Sequence, residues 1–525
     1  MKKNIYNIGV SHTIRWFLMS YKVKPIDINA SHVSVIMNAE DANGLGLSRT
    51  DRVKVMARDR SIVAILDSTR TIVEPGEVAI FKNTYDSLAL KEGDQVKIFP
   101  TEKPKSVEYI KKKMMGDELS TKEINLIIKD ISDNNLSDIE LSAYVTAIMI
   151  RDMNMREVED LTRAMVESGT RLDFDNKPIF DFHSVGGVPG NKITLIIVPI
   201  VAAAGLLIPK TSSRAISSAC GTADILEAIC RVDLSIEEIK SQTESIGGTI
   251  AWGGAVNIAP ADDIIIHAEY PLGIDPYPQV LASVMAKKVA GGAKFLVMDI
   301  PIGEESKVRD KEYGRRYARD FIDLGHRFGI KVECAITYGD QPVGNAIGPT
   351  LEIKEALECL EGHDGPKSLL SKSLSLAGII LEMGSVALPG QGAQVAKRIL
   401  DSGAALKKFR EIIKAQGGDG EISSSKIMLG QFYEDILAPQ DGYIHRIFNR
   451  RIVKIVRAAG SPFEKGAGLY LYGKQGDKIE KGKPIFRIYS DSQSKLNTAK
   501  AVALEYPPLD IEGMLLERIP NIHTI

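Results

Sequence analysis

The sequence has 525 residues, 44% of them hydrophobic and 26% charged, which is the composition of a globular protein with about three or four domains. Its 66 basic and 68 acidic residues nearly cancel, so the formal charge of −2 gives no electrostatic reason to bind a nucleic acid polymer or an anionic membrane. Four cysteines without a CxxC pair exclude a disulfide framework and favour a reducing compartment such as the cytoplasm.

The sequence predicts no membrane-spanning segment and no signal peptide. The longest apolar run, residues 195–208, spans 14 residues, whereas crossing a bilayer takes ~20. The first residues are basic but lack a continuous apolar stretch and a small-residue cleavage site. Residues 1–18 are therefore predicted to be a start-site extension or a disordered tail, with either Met1 or Met19 as the first residue of the protein.

Two regions of the chain are predicted to be rich in β-strands. Residues 1–104 contain, after the extension, β-branched runs such as VSVIMN, SIVAILD and QVKIFP between turn residues, which predicts a β-rich N-terminal domain. Residues 436–525 contain the short strand-like runs GYIHRIF, RIVKIVRAAG, GLYLYG and KPIFRIYS, separated by glycine turns. These runs predict a small C-terminal α+β domain.

Residues 105–177 are predicted to form a helical domain. Ser120–Glu123 and Ser137–Glu140 both fit the capping box, in which a side-chain oxygen and a carboxylate satisfy backbone amides at the start of a helix. Asn154–Glu157 is a weaker version of the same pattern. Gly169 suits the left-handed position that follows the end of a helix.

Residues 178–435 are predicted to form an α/β domain around a parallel sheet. Buried strand-like runs alternate here with helical stretches of ~12 residues or more, which is typical of parallel strands joined by crossover helices. These runs are PIFDFHSV, LIIVPIV, LLIPK, FLVMDIPI and IKVECAITY. A glycine-rich turn at residues 417–420 ends the alternation.

Three loops in this part of the chain carry residues suited to binding an anion. Residues 181–192 read DFHSVGGVPGNK, where adjacent glycines leave backbone amides uncovered and Ser184 adds a hydroxyl. Residues 210–224 read KTSSRAISSACGTAD after a predicted strand, where the amino terminus of a helix favours negative charge. Residues 270–276 read YPLGIDP. Taken singly, a glycine turn, a serine-rich helix cap and an N-cap aspartate explain the same residues.

The second loop carries a family resemblance. SSRAISSACGTADILE resembles the signature S-x-R-x-x-x-x-x-x-G-T-x-D-x-x-E of the thymidine and pyrimidine-nucleoside phosphorylases, and HSVGGVPG is similar to their phosphate loop. TYGDQPVGNAIGPTLEIKEAL and SGAALKKFREIIKAQGGD also look like theirs, in the same order, so the resemblance covers about residues 105–510. The VPG insertion, the KTSSRAI string and the β-rich domain beginning KVKPIDI resemble the archaeal branch of the family, whose members act on AMP.

The resemblance implies a multidomain α/β enzyme whose helical and α/β domains are of the class II nucleoside phosphorylase type. Part of residues 260–292 would join the helical domain, and the active site would lie in the cleft between that domain and the α/β domain. The implied assembly is a homo-oligomer, a dimer or larger. No cofactor is implied, and no metal, since the eight histidines form no H-x-x-x-H or Cys/His cluster.

The resemblance also implies roles for individual residues. Asp275 would be the general acid that protonates the leaving base, for which it must hold a proton near neutral pH, and burial would favour this. Phosphate contacts would fall on Ser184, Ser212 and Thr222. AMP contacts would fall on Gly187, Ser213, Arg214, Ala215, Ile216, Ser217, Ser218, Thr222, Ser283 and Lys307. The Arg that reads the base in the pyrimidine enzymes is replaced by Ala268, which argues against thymidine or uridine as the substrate.

One position departs from the family's phosphate loop. The usual D-K-H-S reads DFHS at residues 181–184, so the phosphate-contacting Lys is replaced by Phe182. Either Lys192 or Lys210 could supply the missing charge. Cys220, where the family usually has Gly or Ala, is a milder change.

The reaction implied by the resemblance is attack of inorganic phosphate on C1′ of AMP, giving adenine and ribose 1,5-bisphosphate for nucleotide salvage and carbon metabolism. Positive charge develops on the sugar in such cleavages, so the protein must hold two anions and place the attacking oxygen in line. Three alternatives stay open: a phosphorylase of other nucleoside 5′-monophosphates or nucleosides, a phosphoribosyltransferase of the same architecture such as the anthranilate enzyme, and a non-catalytic nucleotide-binding regulator, which only Phe182 supports.

Overall fold

The structure, a computed structural model, describes residues 20–30, 33–215 and 218–514. The predicted extension at residues 1–18 therefore lies outside the described residues, as do Ile216 and Ser217 of the second anion loop. Within the described ranges, no helix combines the length and the apolar character needed to cross a membrane.

The chain divides into two compact units. The first comprises the described residues up to Ser168 together with Ala261–Val280. The second comprises Gly169–Pro260 and the described residues from Leu281 onward. The second division falls inside a helix, Tyr277–Ala290, so that one helix contributes to both units.

The first unit begins with a closed six-stranded β-barrel of order β1-β5-β2-β4-β3-β6, which confirms the β-rich N-terminal domain. Its strands are Ser20–Ile26 (β1), Ser34–Asn38 (β2), Arg52–Ala57 (β3), Arg60–Thr69 (β4), Glu77–Phe81 (β5) and Gln95–Pro100 (β6), with short helices Ala39–Gly44 (α1) and Lys82–Ser87 (α2). The β1–β5 and β2–β4 pairs are parallel and the other neighbours antiparallel. Alternate residues such as Val53 and Val55 point into the core, and closure leaves no unpaired strand edge.

Four helices follow the barrel, and the predicted caps start three of them. The helices are Ser106–Met115 (α3), Thr121–Ser132 (α4), Asp138–Arg151 (α5) and Met155–Ser168 (α6). Capping boxes are present at Ser120 and Ser137. Asn154 forms the third, because it accepts from the Glu157 amide at 3.0 Å while the Glu157 carboxylate accepts from the Asn154 amide at 3.0 Å. Arg52 of the barrel joins these helices by donating to Glu140 and to the carbonyl of Asn135.

Gly169 follows the end of a helix, as predicted, but the predicted left-handed conformation was wrong. Helix α6 ends at Ser168, but Gly169 does not adopt a left-handed φ. A Cβ atom at this position would lie 2.3 Å from the carbonyl oxygen of Ile258. A glycine is needed here because two backbone segments approach closely, not because the helix ends in a left-handed turn.

The second unit is built on the predicted parallel sheet. Strands β7 (Phe180–Ser184), β8 (Ile208–Ser212), β9 (Gly248–Trp252), β10 (Phe295–Ile302) and β11 (Lys331–Tyr338) form the parallel groups β11-β10-β7 and β8-β9. A parallel bridge between Ile179 and Leu207 joins the two groups. The helices in this part of the chain are Thr194–Ala203 (α7), Thr222–Leu226 (α8), Ile236–Ile246 (α9), Pro260–Leu272 (α10), Tyr277–Ala290 (α11), Lys311–Arg327 (α12), Pro349–Leu360 (α13), Lys367–Met383 (α14), Gly392–Asp401 (α15) and Ala404–Ala415 (α16). Apart from Pro260, helix α10 belongs to the first unit, and α11 is divided between the two units.

The strand predicted at LIIVPIV is helix α7 in the structure. Residues 194–202 are all buried, so the helix has no polar face whose period would reveal it. A short continuous apolar run fits a buried strand and a buried helix equally well. Pro199 lies inside the helix, where it gives up one backbone hydrogen bond.

The C-terminal part of the second unit is a small α+β domain, as predicted. Its elements are Phe432–Leu437 (β13), Gly442–Ile447 (β14), Asn449–Ala458 (α17), Gly468–Leu471 (β15), Lys478–Ile479 (β16), Pro484–Ser490 (β17), Gln493–Glu505 (α18) and Leu509–Glu512 (β18). Strand β12 (Ala346–Ile347), from the α/β part, joins the sheet β12-β15-β17-β13. The predicted domain boundaries stay predictions.

The strand predicted at RIVKIVRAAG was also wrong, since these residues form helix α17. Ile452, Ile455, Val456 and Ala459 are buried at helical spacing, while the positions between them are charged or less buried. The β-branched composition favoured a strand, and the 3.6-residue period of burial favours the helix that forms.

Candidate functional site

Three loops lie at one edge of the parallel sheet in the second unit. Strands β10, β7 and β8 are neighbours that run in the same direction, so their carboxyl ends meet at the same edge. The loops that follow are residues 303–310 after β10, 185–193 after β7, and 213–215 with 218–221 after β8. The carboxyl edge of a parallel sheet is where ligands commonly bind. Two of these loops are the first and second anion loops predicted from the sequence.

The loop after β7 places Ser184, Gly187 and Lys307 close together. Gly186 and Gly187 have φ values of 91° and 88°, a left-handed backbone that glycine adopts without strain. A Cβ atom on Gly187 would lie 2.9 Å from the backbone nitrogen of Lys307, so this glycine permits close contact with the loop after β10. Asn191 donates its side-chain amide to Ser184 Oγ at 2.9 Å. Gly187 and Lys307, two of the predicted site residues, are therefore in close contact, and Ser184 lies three residues before Gly187 in the chain.

The VPGNK segment of this loop packs against a second motif. The Val343 amide donates to the carbonyl of Pro189 at 3.1 Å, and a Cβ atom on Gly190 would lie 2.7 Å from the Val343 carbonyl oxygen. Lys192 Nζ donates to Glu355 Oε2 at 2.6 Å and to the Val343 carbonyl at 3.0 Å. Two sequence motifs 151 residues apart are thus one structural unit. Within this unit, Glu355 compensates the charge of Lys192.

The residues named in the family signature hold the loop after β8 in shape. Arg214 makes a two-point ion pair with Glu227, at 2.8 and 2.6 Å. Asp224 Oδ2 accepts from the amides of Ala215 and Gly221, at 2.6 and 2.8 Å. A Cβ atom on Gly221 would lie 2.5 Å from the Ser213 carbonyl oxygen. The Arg, Gly, Asp and Glu of the signature therefore form a closed network around the loop.

Side chains of the C-terminal domain also hold the loop after β8. The sequence did not predict these contacts. Arg457 Nε donates to the carbonyl of Ser218 at 3.0 Å, and Ser461 Oγ donates to that of Ala219 at 3.0 Å. Lys465 Nζ lies 2.9 Å from Glu227 Oε2. These partners are more than 230 residues from the loop in sequence, and no local pattern indicates such contacts.

The remaining hydroxyls of the loop differ in exposure. Ser213 and Ser218 are exposed, and Thr222 is the first residue of helix α8. Ser212 Oγ donates to the Ala251 carbonyl of the neighbouring strand β9 at 3.3 Å. The exposed serines and Thr222 lie at the carboxyl edge of the sheet and are available to a ligand there.

A buried group of charges lies beneath the first loop. Lys288 Nζ is 2.6 Å from Asp181 Oδ2, and Lys210 Nζ is 3.8 Å from Asp181 Oδ1. All three side chains are nearly inaccessible to solvent. Burial, followed by the charges of Lys288, Lys210, Lys287 and Lys307, holds the pKa of His183 well below its usual range. His183 is therefore neutral at neutral pH, in a region of net positive charge.

The sequence missed the role of Asp181 and Lys288 in this group. In the sequence, Asp181 is only part of the DFHS string, and Lys288 belongs to no predicted site. Their separation of 107 residues in the chain leaves no local signal. An acidic residue inside a buried strand was the available hint, because such a charge needs a partner.

Cys220 is a half-buried hydrogen-bond donor. Its Sγ donates to Glu352 Oε1 at 3.0 Å, and the Gly348 amide donates to the same oxygen at 3.2 Å. Burial, and then the charge of Glu352, raises the pKa of the Cys220 thiol well above its usual value. The hydrogen bond of this thiol joins the loop after β8 to helix α13, which is a structural contact.

Of the described site residues, Asp275 alone belongs to the first unit. It lies on the turn between helices α10 and α11, two residues after Gly273, whose φ is 62°. Asp275 is exposed, whereas its implied role as a general acid would favour a buried position. Ser283 is half-buried on helix α11, and Ala268 is half-buried on helix α10. Within the part of the chain that the structure describes, no group of three His, Cys, Asp or Glu side chains is arranged to hold a metal ion.

Three family models match successive parts of the chain. Residues 107–169 match the glycosyl transferase family, helical bundle domain, and residues 176–406 match the glycosyl transferase family, a/b domain. Residues 443–507 match the pyrimidine nucleoside phosphorylase C-terminal domain. Among solved structures, anthranilate phosphoribosyltransferase from Thermus thermophilus has a similar fold, with a TM-score of 0.50 and 19% identity over 59% of this chain and 99% of that one.

Curated relatives match nearly the whole chain. The AMP phosphorylase of Methanococcoides burtonii is 50% identical over 97% of this chain and 100% of its own length. AMP phosphorylase 1 of Archaeoglobus fulgidus is 50% identical over 95% of this chain and 99% of its own. The AMP phosphorylase of Methanocella arvoryzae is 48% identical over 95% of this chain and 99% of its own. With such identity over its full domain series, the chain belongs to the AMP phosphorylase family.

Proposed function

We propose that this protein is a pentosyltransferase that cleaves AMP with inorganic phosphate, giving adenine and ribose 1,5-bisphosphate. The observation that carries the proposal is the pair of anion loops after the neighbouring strands β7 and β8, at one edge of the sheet. Together the two loops offer hydroxyls and backbone amides for the attacking phosphate and for the 5′-phosphate of the nucleotide. The products would feed nucleotide salvage and carbon metabolism.

The chemistry requires little covalent work from the protein. Phosphate is itself the nucleophile, so the side chains hold and orient two anions against a sugar that gains positive charge. Ser184, Ser212 and Thr222 are proposed to contact phosphate. Contacts to AMP are proposed for Gly187, Ser213, Arg214, Ala215, Ile216, Ser217, Ser218, Thr222, Ser283 and Lys307. Asp275 is proposed to protonate N7 of the departing adenine.

The purine preference is supported by the position of Ala268. This residue stands where the pyrimidine enzymes carry the Arg that reads the base, and it presents only a methyl group on helix α10. A site without that donor loses the hydrogen bond by which it would select a pyrimidine carbonyl. Other nucleoside 5′-monophosphates remain the second candidate substrates.

A base-release assay tests the function. The purified protein is incubated with AMP, GMP, CMP, UMP or adenosine, each with and without inorganic phosphate, and the free base is measured by chromatography. We expect adenine release that requires both phosphate and the 5′-phosphate of AMP. Comparable kcat/KM values for adenosine and AMP would contradict the proposal. Faster base release from CMP or UMP would show that one of these nucleotides, and not AMP, is the preferred substrate.

The proposed working form is a homo-oligomer in the cytoplasm. All four thiols are free, which suits a reducing compartment. The β-barrel carries none of the predicted site residues, and Ile28 and Ile72 on its surface are 59% and 45% exposed. We assign subunit association to this barrel.

A further inference from the structure

The phenylalanine that replaces the family's phosphate-loop lysine is part of the apolar core. Phe182 is 1% exposed and packs among the buried residues of the α/β domain. On the neighbouring strand β8, Lys210 places its ammonium 5.1 Å from the centre of the Phe182 ring. Phe182 on β7 and Lys210 on β8 are therefore neighbours on two parallel strands.

Lys210 reaches toward the carboxyl edge of the sheet. Its ammonium donates to the Thr211 carbonyl at 2.7 Å, close to the point where β8 ends and the second loop begins. Asp181, 3.8 Å away, is the carboxylate nearest to it. That carboxylate is already engaged by Lys288 at 2.6 Å. One acid thus faces two lysines, and the group carries an excess of positive charge when both are protonated.

The surroundings leave Lys210 with too little compensating charge. Burial, and then repulsion from Lys288, lowers the pKa of Lys210 to about 7, although attraction to Asp181 opposes the shift. A buried cation in this state gains from an anion placed next to it, because the anion restores the lost compensation. Lys192, the other lysine considered for this role, already has Glu355 as its partner.

We propose that Lys210 supplies the positive charge that binds inorganic phosphate, in place of the lysine that Phe182 has replaced. The lysine is on β8 in this protein, whereas the family's usual phosphate-loop lysine would be on β7. Both positions lie near the edge of the sheet that carries Ser184 and Ser212. This assignment rests on the proposed function, because it identifies a binding residue for the phosphate that attacks AMP. Asp181 retains Lys288 as its own partner when Lys210 turns to the phosphate.

The test compares the two substrates in two variants. Lys210→Met removes the charge at nearly constant length, and Lys210→Gln removes the charge but keeps a donor for the Thr211 carbonyl. A lost hydrogen bond to a charged group corresponds to about a 10- to 100-fold change in affinity. We expect the KM for phosphate to rise by about that factor while the KM for AMP changes by less than about threefold. Calorimetric titration with inorganic phosphate should show the same loss.

A matched control separates binding from stability. Lys113 forms a buried ion pair with Glu157 at 2.9 Å in the first unit, whereas the proposed phosphate contacts belong to the second unit. Lys113→Met should lower the melting temperature and leave the KM for phosphate unchanged. A folded Lys210→Gln protein with an unaltered KM for phosphate overturns the inference, and so does an equal rise in both KM values.

The outcomes also distinguish this inference from the proposed function. If the wild-type protein binds phosphate but releases no base from AMP, the proposed function fails, whereas loss of phosphate binding in Lys210→Gln still supports the role of Lys210. If the wild-type protein cleaves AMP and Lys210→Gln binds phosphate with unchanged affinity, only the role of Lys210 is refuted.

Discussion

The Arg214 guanidinium faces the Glu227 carboxylate squarely, with two nitrogen–oxygen distances of 2.8 and 2.6 Å. The guanidinium also lies 4.6 Å from the centre of the Trp252 ring. The hydrogen bonds from Arg214 are the largest cause of the lowered pKa of the Glu227 carboxyl. Two residues of the family signature are thus partners of each other, and the pair sets the shape of the loop between them.

This pairing predicts how substitutions in the loop combine. Arg214→Met and Glu227→Gln should each raise the KM for AMP by about fivefold, since a partly exposed but bidentate pair is worth about 1 kcal/mol. The double variant should be no worse than either single one, because both act through one interaction. Steady-state kinetics of the four proteins checks this. Multiplicative effects would contradict this and show that the Arg214 side chain contacts AMP directly, in addition to holding the backbone of the loop.

The lowered pKa of Lys210 predicts a pH dependence of anion binding. Sulfate, a competitor of phosphate, keeps its charge between about pH 6 and about pH 9. Its inhibition constant should rise as the pH passes about 7, where Lys210 loses its proton. The titratable groups that face Lys210 are Asp181, Lys288 and His183.

Lys210→Arg provides the comparison for that profile, because arginine stays protonated throughout the range. Its sulfate inhibition should depend less on pH. Identical profiles for the wild-type and Lys210→Arg proteins would mean that another group titrates.

Asp275→Asn should separate proton donation from binding. The amide keeps the shape of the side chain but cannot give up a proton, so kcat should fall by ~10²–10⁴-fold with little change in the KM for AMP. The melting temperature should not change, since Asp275 is exposed. Single-turnover adenine release measures the effect, and Asp263→Asn, at another exposed acid of the first unit, is the control. Release at the wild-type rate would remove Asp275 from the mechanism.

Deletion of residues 1–104 should lower the number of subunits in the particle. The barrel is proposed to mediate association, so light scattering should report a smaller assembly after correction for the deleted mass. Circular dichroism shows whether the helices remain folded. Full-length Arg52→Met loosens the contact of the barrel with Glu140 but keeps the barrel surface, and it should retain the wild-type assembly. An unchanged subunit number in the truncated protein would refute the role.

The cysteines should be unreactive in the native protein. Burial raises the pKa of Cys230, Cys334 and Cys359 to about 12, and that of Cys220 well above its usual value. Because the thiolate is the reactive form, iodoacetamide at about pH 8 should modify the folded protein slowly and all four thiols after denaturation. Mass spectrometry counts the adducts. Rapid modification of Cys220 in the folded protein would show that the loop after β8 opens.

Helix caps and strands were predicted correctly where residues close together in the chain decide the local structure. The capping boxes at Ser120 and Ser137 were predicted correctly, because a cap depends on residues three positions apart. The strands at PIFDFHSV and FLVMDIPI were also correct. The run at LIIVPIV was misassigned because a segment buried on every side has no period that distinguishes a strand from a helix.

By itself the sequence determined the family and the succession of a β-rich, a helical, an α/β and a small α+β region, since both depend on residue types at fixed short spacings. Only the tertiary structure decided which charges compensate each other. It paired Asp181 with Lys288 and Lys192 with Glu355, and it placed Lys210 beside Phe182. A buried charge must find a partner wherever the fold brings one, and partners more than 100 residues apart in the chain leave no pattern in the linear sequence.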